Sequence, residues 1–180
     1  MMVLIIGGSG SGKSSYAEKL LCGAYGGVNA NVPKYYIATM PVNDDEDRKK
    51  VASHRNQREG KGFITIERTT DISGALEMMD SERKAVLLEC VSNLTANEMF
   101  SQGSIRTENQ VVEKVIKDME QLKEHTEYLA VVSNNVFEDG IDYDDMTMNY
   151  IRTLGRINRR LAALADKVVE MAVGIPICLK

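Results

Sequence analysis

The sequence predicts an α/β fold, a mostly parallel sheet with helices on both faces and an antiparallel hairpin at the C-terminal end, on three observations. Short apolar runs of strand length alternate with segments whose apolar residues recur at helical spacing. The first run, Met1-Met2-Val3-Leu4-Ile5-Ile6, meets a glycine-rich turn that opens directly into a helix-forming segment, Ser15-Tyr16-Ala17-Glu18-Lys19-Leu20-Leu21. The last two apolar segments, around Lys167 to Met171 and Ile175 to Leu179, are split by Gly174, as in a hairpin.

The glycine-rich turn is the most informative stretch. Gly7-Gly8-Ser9-Gly10-Ser11-Gly12-Lys13-Ser14 fits G-x-x-x-x-G-K-[S/T], the P-loop, in the strand–loop–helix setting that the pattern requires. Its chemistry rests on the backbone: glycines let successive N–H groups turn inward around phosphate oxygens, and the following helix aims its positive end at the same anion. Lys13 is expected to reach the β- and γ-phosphates and Ser14 to ligate Mg2+. The predicted fold is accordingly a P-loop NTPase of the RecA-like kind, with residues 1–180 forming a single domain.

Composition narrows the partners. A charged fraction of 27% with a net charge of -4 gives no basic footprint for nucleic acid, and no apolar run approaches membrane-spanning length. The N-terminal apolar run lacks a charged region before it and leads straight into the phosphate loop, so it does not read as a secretion signal. Three cysteines, Cys22, Cys90 and Cys178, lie far apart and never in C-x-x-C spacing, which indicates neither a disulfide framework nor a zinc site. A soluble, cytoplasmic protein without a membrane anchor is expected.

Along the chain, residues 22–33 are rich in Gly and Asn and read as a surface loop, and Lys34 to Thr39 has strand composition. Acids at 44–47 followed by bases at 48–50 suit a helix that runs through Arg58 and stops at Gly60 and Gly62. Phe63 to Glu67 is a short strand and Ile72 to Met79 a helix. The run Lys84-Ala85-Val86-Leu87-Leu88-Glu89-Cys90 places an acid at the end of a buried strand, where a Walker B carboxylate would face the magnesium. Helices are expected from Ser92 to Phe100, from Glu108 to Lys123, and from about Asp145 to Leu164, with a strand over Glu127 to Ser133. Nucleotide should sit at the carboxyl ends of the strands, where Ser9, Thr39, Glu89 and Ser133 fall.

A P-loop alone establishes only that a nucleoside triphosphate binds. No Asn-Lys-x-Asp guanine signature is present, which argues against a switch GTPase. In Ser53-His54-Arg55-Asn56-Gln57-Arg58 a histidine is flanked by two arginines within about one helical turn. A neutral imidazole can attack phosphorus, and guanidinium groups beside it would steady the displaced phosphates. From spacing alone the blander reading, a surface histidine on a basic helix, is the favoured one.

The ordered set of motifs resembles the bifunctional adenosylcobinamide kinase / adenosylcobinamide-phosphate guanylyltransferase family of cobalamin biosynthesis, nearly end to end. It comprises the P-loop, Tyr36-Ile37-Ala38-Thr39, His54-Arg55-x-x-Arg58, Leu87-Leu88-Glu89-Cys90 with Asn97, Ser133-Asn134, Gly140-Ile141, and Gly155-Arg156-Ile157-Asn158-x-x-Leu161-Ala162-x-x-Ala165-Asp166. The resemblance implies two reactions: phosphorylation of the corrinoid's aminopropanol hydroxyl from ATP or GTP, then transfer of GMP from GTP through a guanylyl-histidine at His54 to give adenosylcobinamide-GDP and pyrophosphate. It implies catalytic roles for His54 and Lys13 and nucleotide contacts from Thr39, Arg55, Asn56, Gln57, Arg58 and Glu67. Glu89 would act near the metal or the nucleotide. It also implies a homo-oligomer, a trimer, with the His54 helix near a subunit boundary. His125, the other histidine, lies outside the motif and reads as structural or solvated.

The chain departs from the family pattern at Gly10, where arginine is usual, at Glu59 and Phe63, where proline and tryptophan are usual, at Asn135, and at Tyr150-Ile151-Arg152. Two alternatives therefore stay open at this stage. One is a P-loop small-molecule kinase lacking guanylyl transfer; the other is a nucleotide-regulated binding protein without substrate chemistry.

Overall fold

The computed structural model describes residues 1–23, 31–42, 44–45, 52, 58–100, 106–135 and 143–180. His54, Arg55, Asn56 and Gln57 of the expected helix lie outside the described residues, whereas Arg58 at its end is described. The elements are β1 (Met2–Ile6), α1 (Lys13–Leu21), β2 (Lys34–Ala38), β3 (Phe63–Glu67), a 3-10 helix (Ile72–Met78), β4 (Ala85–Glu89), α2 (Val91–Phe100), α3 (Glu108–Glu124), β5 (Tyr128–Val132), α4 (Asp145–Leu164), β6 (Lys167–Ala172) and β7 (Ile175–Cys178).

The seven strands form one sheet in the order β3-β2-β4-β5-β1-β6-β7. All neighbours pair in parallel except β6 and β7. Parallel strands buried on both faces need apolar residues at successive positions, and β1, β4 and β5 have them. Met2, Leu4, Val86, Leu88, Leu129 and Val131 enter one core layer, closed by α2, α3, α4 and the 3-10 helix. Val3, Ile5, Ala85, Leu87, Ala130 and Val132 alternate into the other, closed by Tyr16, Ala17, Leu20 and Leu21 of α1. The expected architecture is thus present, with helices on both faces and the hairpin at one edge. No helix among the described residues is long and apolar enough to cross a membrane.

Helix ends follow local chemistry. Thr107 and Gln110 form a reciprocal capping box before α3, and the Asp144 carboxylate accepts from the amides of Met146 and Thr147 before α4. The Lys180 ammonium donates to the carbonyls of Ala162, Ala163 and Ala165, which the end of α4 leaves without helical partners. The segment after Asp71 was expected to be a helix and takes the tighter 3-10 form. Its Ser73-Gly74 pair has low helix propensity, and seven residues hold too few hydrogen bonds to resist tightening.

The hairpin turn consists of Val173 (φ 46°) and Gly174 (φ 85°), both left-handed. That geometry matches a two-residue type I′ turn, which accommodates Asn-Gly readily and a β-branched residue at its first position poorly. Val173 is 90% exposed, so no packing compensates. Val173→Asn is expected to stabilise the fold by about 1 kcal/mol, raising the melting temperature by roughly 2–4 °C in a thermal melt.

At the far end of the sheet Asp166 accepts from the Met2 amide at 2.6 Å and pairs with Lys123 at 3.2 Å. The Met2 hydrogen bond, first of all, holds its carboxyl below the usual carboxylate range. A carboxylate depressed in the folded state stabilises above its unfolded value of about 3.9, and that contribution is lost as pH falls through the lower folded value. Below about pH 4, stability should fall less steeply in Asp166→Asn than in the wild type, as acid-titrated melts would record.

Candidate nucleotide site

The phosphate loop is folded by its contacts as much as by its glycines. A Cβ at Gly7 (φ 152°) would lie 2.6 Å from the Met171 carbonyl oxygen, so only glycine lets the loop pass β6. Gly12 (φ 92°) turns the chain into α1, whose first residue is Lys13. The loop is also braced from outside: the Asn135 amide donates to the Gly7 carbonyl and the Gly174 amide to the Ser11 carbonyl. The hairpin turn therefore touches the phosphate loop directly.

Above the carboxyl ends of the strands lies a cavity of about 270 Å³, lined on the loop side by Ser9, Gly10, Lys13 and Ser14. Lys13 is 6% exposed, and its ammonium donates to the Gly8 carbonyl at 2.5 Å. Burial lowers its pKa, against the opposing pull of Cys90 and Glu89. Glu89, the last residue of β4, stands at the middle of the floor. Its Oε1 accepts from the Ser14 hydroxyl, and its Oε2 accepts from the Tyr36 phenol at 3.1 Å. Burial, and then the charge of Glu89, push the Tyr36 pKa well above the usual phenol range, so this hydroxyl is a donor at neutral pH.

The wall opposite the loop carries Arg58. Its guanidinium carbon lies 3.4 Å from the centroid of the Tyr36 ring. The side chain is 7% exposed, and its Nε and Nη1 donors are buried with no hydrogen-bond partner among the described residues. Buried polar groups are nearly always paired, and leaving a cation's donors unmade is costly. A pocket that holds two guanidinium donors unpaired among the described residues, together with an ammonium and a loop of amides, is suited to an extended polyanion.

The structure brings Ser9, Gly10, Lys13, Ser14, Arg58 and Glu89 to one cavity, with Gly7, Gly8, Ser11 and Gly12 shaping the loop behind them. It separates two other expected residues from it. Thr39 is 0% exposed, and its hydroxyl both accepts from the Cys90 amide at 2.7 Å and donates to the Cys90 carbonyl at 2.8 Å. It clamps β2 to the end of β4 beneath the floor. Glu67 ends β3, the outermost strand, in register with Ala38, and does not line the cavity.

The cavity also contains residues given no role from sequence, chiefly Tyr36, Asn93 and Asn134. Tyr36 and Asn134 belong to matched motifs, and strand alternation alone puts Tyr36 on the α1 face with the phosphate loop. Asn134 is held by a polar chain: its amide donates to the Ser92 hydroxyl at 2.9 Å, while the buried Ser133 hydroxyl donates to Asn158, whose amide donates to the Asn134 carbonyl at 3.3 Å.

A phosphate loop after β1, its lysine and serine beside the acid that ends β4, and β5 lying between them define a P-loop nucleotide-binding protein. The fold agrees with that of a KaiC-like protein from the archaeon Pyrococcus horikoshii OT3, with a TM-score of 0.50, 12% identity, and coverage of 94% of this chain and 71% of that one. The model of the family described as cobinamide kinase / cobinamide phosphate guanyltransferase matches residues 3–179, and the chain belongs to that family. It is therefore an enzyme of the kinase and guanylyltransferase kind. Similar curated proteins include the bifunctional adenosylcobalamin biosynthesis proteins CobU of Escherichia coli strain K12 and of Salmonella typhimurium strain LT2, 29% and 28% identical over the full length of both chains. CobP of Pseudomonas aeruginosa strain PAO1 is 25% identical over all of this chain and 98% of its own.

Thr39→Val should leave the Cys90 amide and carbonyl without their partner at nearly unchanged volume. A stability loss of about 1–3 kcal/mol in denaturant melts is expected, without a comparable loss of nucleotide affinity.

Proposed function

We propose that this cavity carries out two successive transfers in cobalamin biosynthesis. In the first, the aminopropanol hydroxyl of adenosylcobinamide attacks the γ-phosphorus of ATP or GTP, the β–γ anhydride breaks, and a nucleoside diphosphate leaves. In the second, the His54 imidazole attacks the α-phosphorus of GTP, the α–β anhydride breaks, and pyrophosphate leaves. An oxygen of the corrinoid phosphate then attacks the guanylyl phosphorus, the P–N bond breaks, and adenosylcobinamide-GDP is released. Residues 1–180 act as one domain in both steps, and the family resemblance supports a cytoplasmic homo-oligomer.

The observation that carries this reading is Arg58. Two of its buried donors have no hydrogen-bond partner among the described residues, in the same cavity that the phosphate loop lines, which supports a polyphosphate reaching both. Arg58 also ties the histidine to the site, because His54 precedes it by four positions and four residues span at most roughly 14 Å. Lys13 would bear on the phosphates being transferred, and the loop amides would orient them.

The residues fit a magnesium ion. Ser14 Oγ and a carboxylate oxygen of Glu89 lie side by side, and these two hard oxygens would hold the ion. When bound, Mg2+ would neutralise charge developing on the phosphates.

Incubation with GTP labelled at the α-phosphate should give an acid-labile, base-stable protein adduct. The adduct should be absent in His54→Ala, while phosphorylation of the corrinoid alcohol persists. An adduct that survives the substitution would assign the nucleophile elsewhere. The absence of any adduct in the wild type, with kinase turnover retained, would favour the kinase-only alternative.

A further inference from the structure

Tyr36 joins the two chemically distinct walls of the cavity through opposite parts of one side chain. Its ring face lies under the Arg58 guanidinium at 3.4 Å, and its hydroxyl donates to Glu89 Oε2 at 3.1 Å. Each neighbour depends on it for a different reason. Arg58 has no hydrogen-bond partner for Nε or Nη1 among the described residues, so the stacking on the aromatic face helps to hold this cation in the cavity before an anion arrives. Glu89 has Oε1 engaged by Ser14 on the loop side, so the Tyr36 hydroxyl is what fixes its second oxygen and hence the rotation of the carboxylate. Tyr36 itself is 4% exposed on a central strand, with β3 on one side and β4 on the other, and cannot swing away from either partner.

We propose that Tyr36 is a positioning residue with two separable functions: its ring presents Arg58 to the phosphates of the bound nucleoside triphosphate, and its hydroxyl aligns Glu89 for the transfer step. This rests on the reading that the cavity holds the triphosphate. Binding and turnover should then respond to different parts of the same side chain. A residue that merely filled the core would not divide them, because loss of packing lowers both together with the melting temperature.

The test uses the full chain with MgGTP, measuring the nucleotide Kd by calorimetry and kcat for phosphorylation of the corrinoid alcohol. Tyr36→Phe keeps the ring and is expected to leave the Kd within about twofold while kcat falls by about tenfold or more. Tyr36→Leu removes the ring and is expected to weaken the Kd by about tenfold as well. If Tyr36→Leu does not fold, Arg58→Met takes its place and should weaken binding in the same way.

Full kcat in Tyr36→Phe would overturn the role of the hydroxyl. Wild-type affinity in Tyr36→Leu or Arg58→Met would overturn that of the ring. Parallel losses of Kd, kcat and melting temperature in Tyr36→Phe would make Tyr36 a packing residue and overturn both. A wild-type chain that binds no MgGTP would instead refute the triphosphate reading, and that result precedes any variant.

Discussion

The site depends on one carboxylate held from two sides. Glu89 ends β4, an interior strand of the sheet, and its oxygens are taken by a hydroxyl from the phosphate loop and a hydroxyl from β2. A carboxylate is acceptor-only, so two donors that approach from different elements fix both its rotation and the spacing of those elements. Loop, floor and far wall are thereby set relative to one another, and the cavity between them has the dimensions that this arrangement leaves.

The rest of the fold keeps Glu89 in that position. β4 lies between β2 and β5 and is apolar over successive positions, so it is buried from both faces. The Thr39 hydroxyl pins the chain just beyond β4 to the end of β2, and the Asn97 amide donates to the Thr39 and Thr69 carbonyls from α2. These polar contacts sit at the carboxyl edge, where ladder hydrogen bonds run out and backbone groups need other partners. What presents as an enzyme site is in this sense also the capped end of a sheet.

Much of this was legible in the sequence because it rests on short-range rules. The P-loop is a backbone shape that requires glycine at set positions, and alternation in β1, β4 and β5 assigns faces without reference to neighbours. Glu89 could be placed because an acid closing an apolar strand beside a P-loop has few other uses. What escaped depends on strand order and on the direction of individual side chains. Thr39 reads as a polar residue at a strand end; only the adjacency of β2 and β4 turns its hydroxyl down onto Cys90 rather than up into the cavity. Glu67 reads equally well as a strand-end acid, but β3 is outermost and β2 stands between it and β4. Tyr36 reads as a strand residue of high β-propensity, and its contacts with Arg58 and Glu89 exist only once three separate segments converge.

The bracing of the phosphate loop has a consequence for the order in which the protein is made. β1 is hydrogen-bonded to β5 on one side and β6 on the other, and the loop after it takes amides from Asn135 and Gly174. Met2 meets Asp166 across 164 positions of chain. At about 5–20 residues per second, a ribosome needs on the order of 10–30 s to supply those partners after β1 has been made. For that interval one of the most apolar strands has neither neighbour, and the nucleotide loop has no fixed shape. The segment that first announces nucleotide binding in the sequence is therefore among the last to become able to do it.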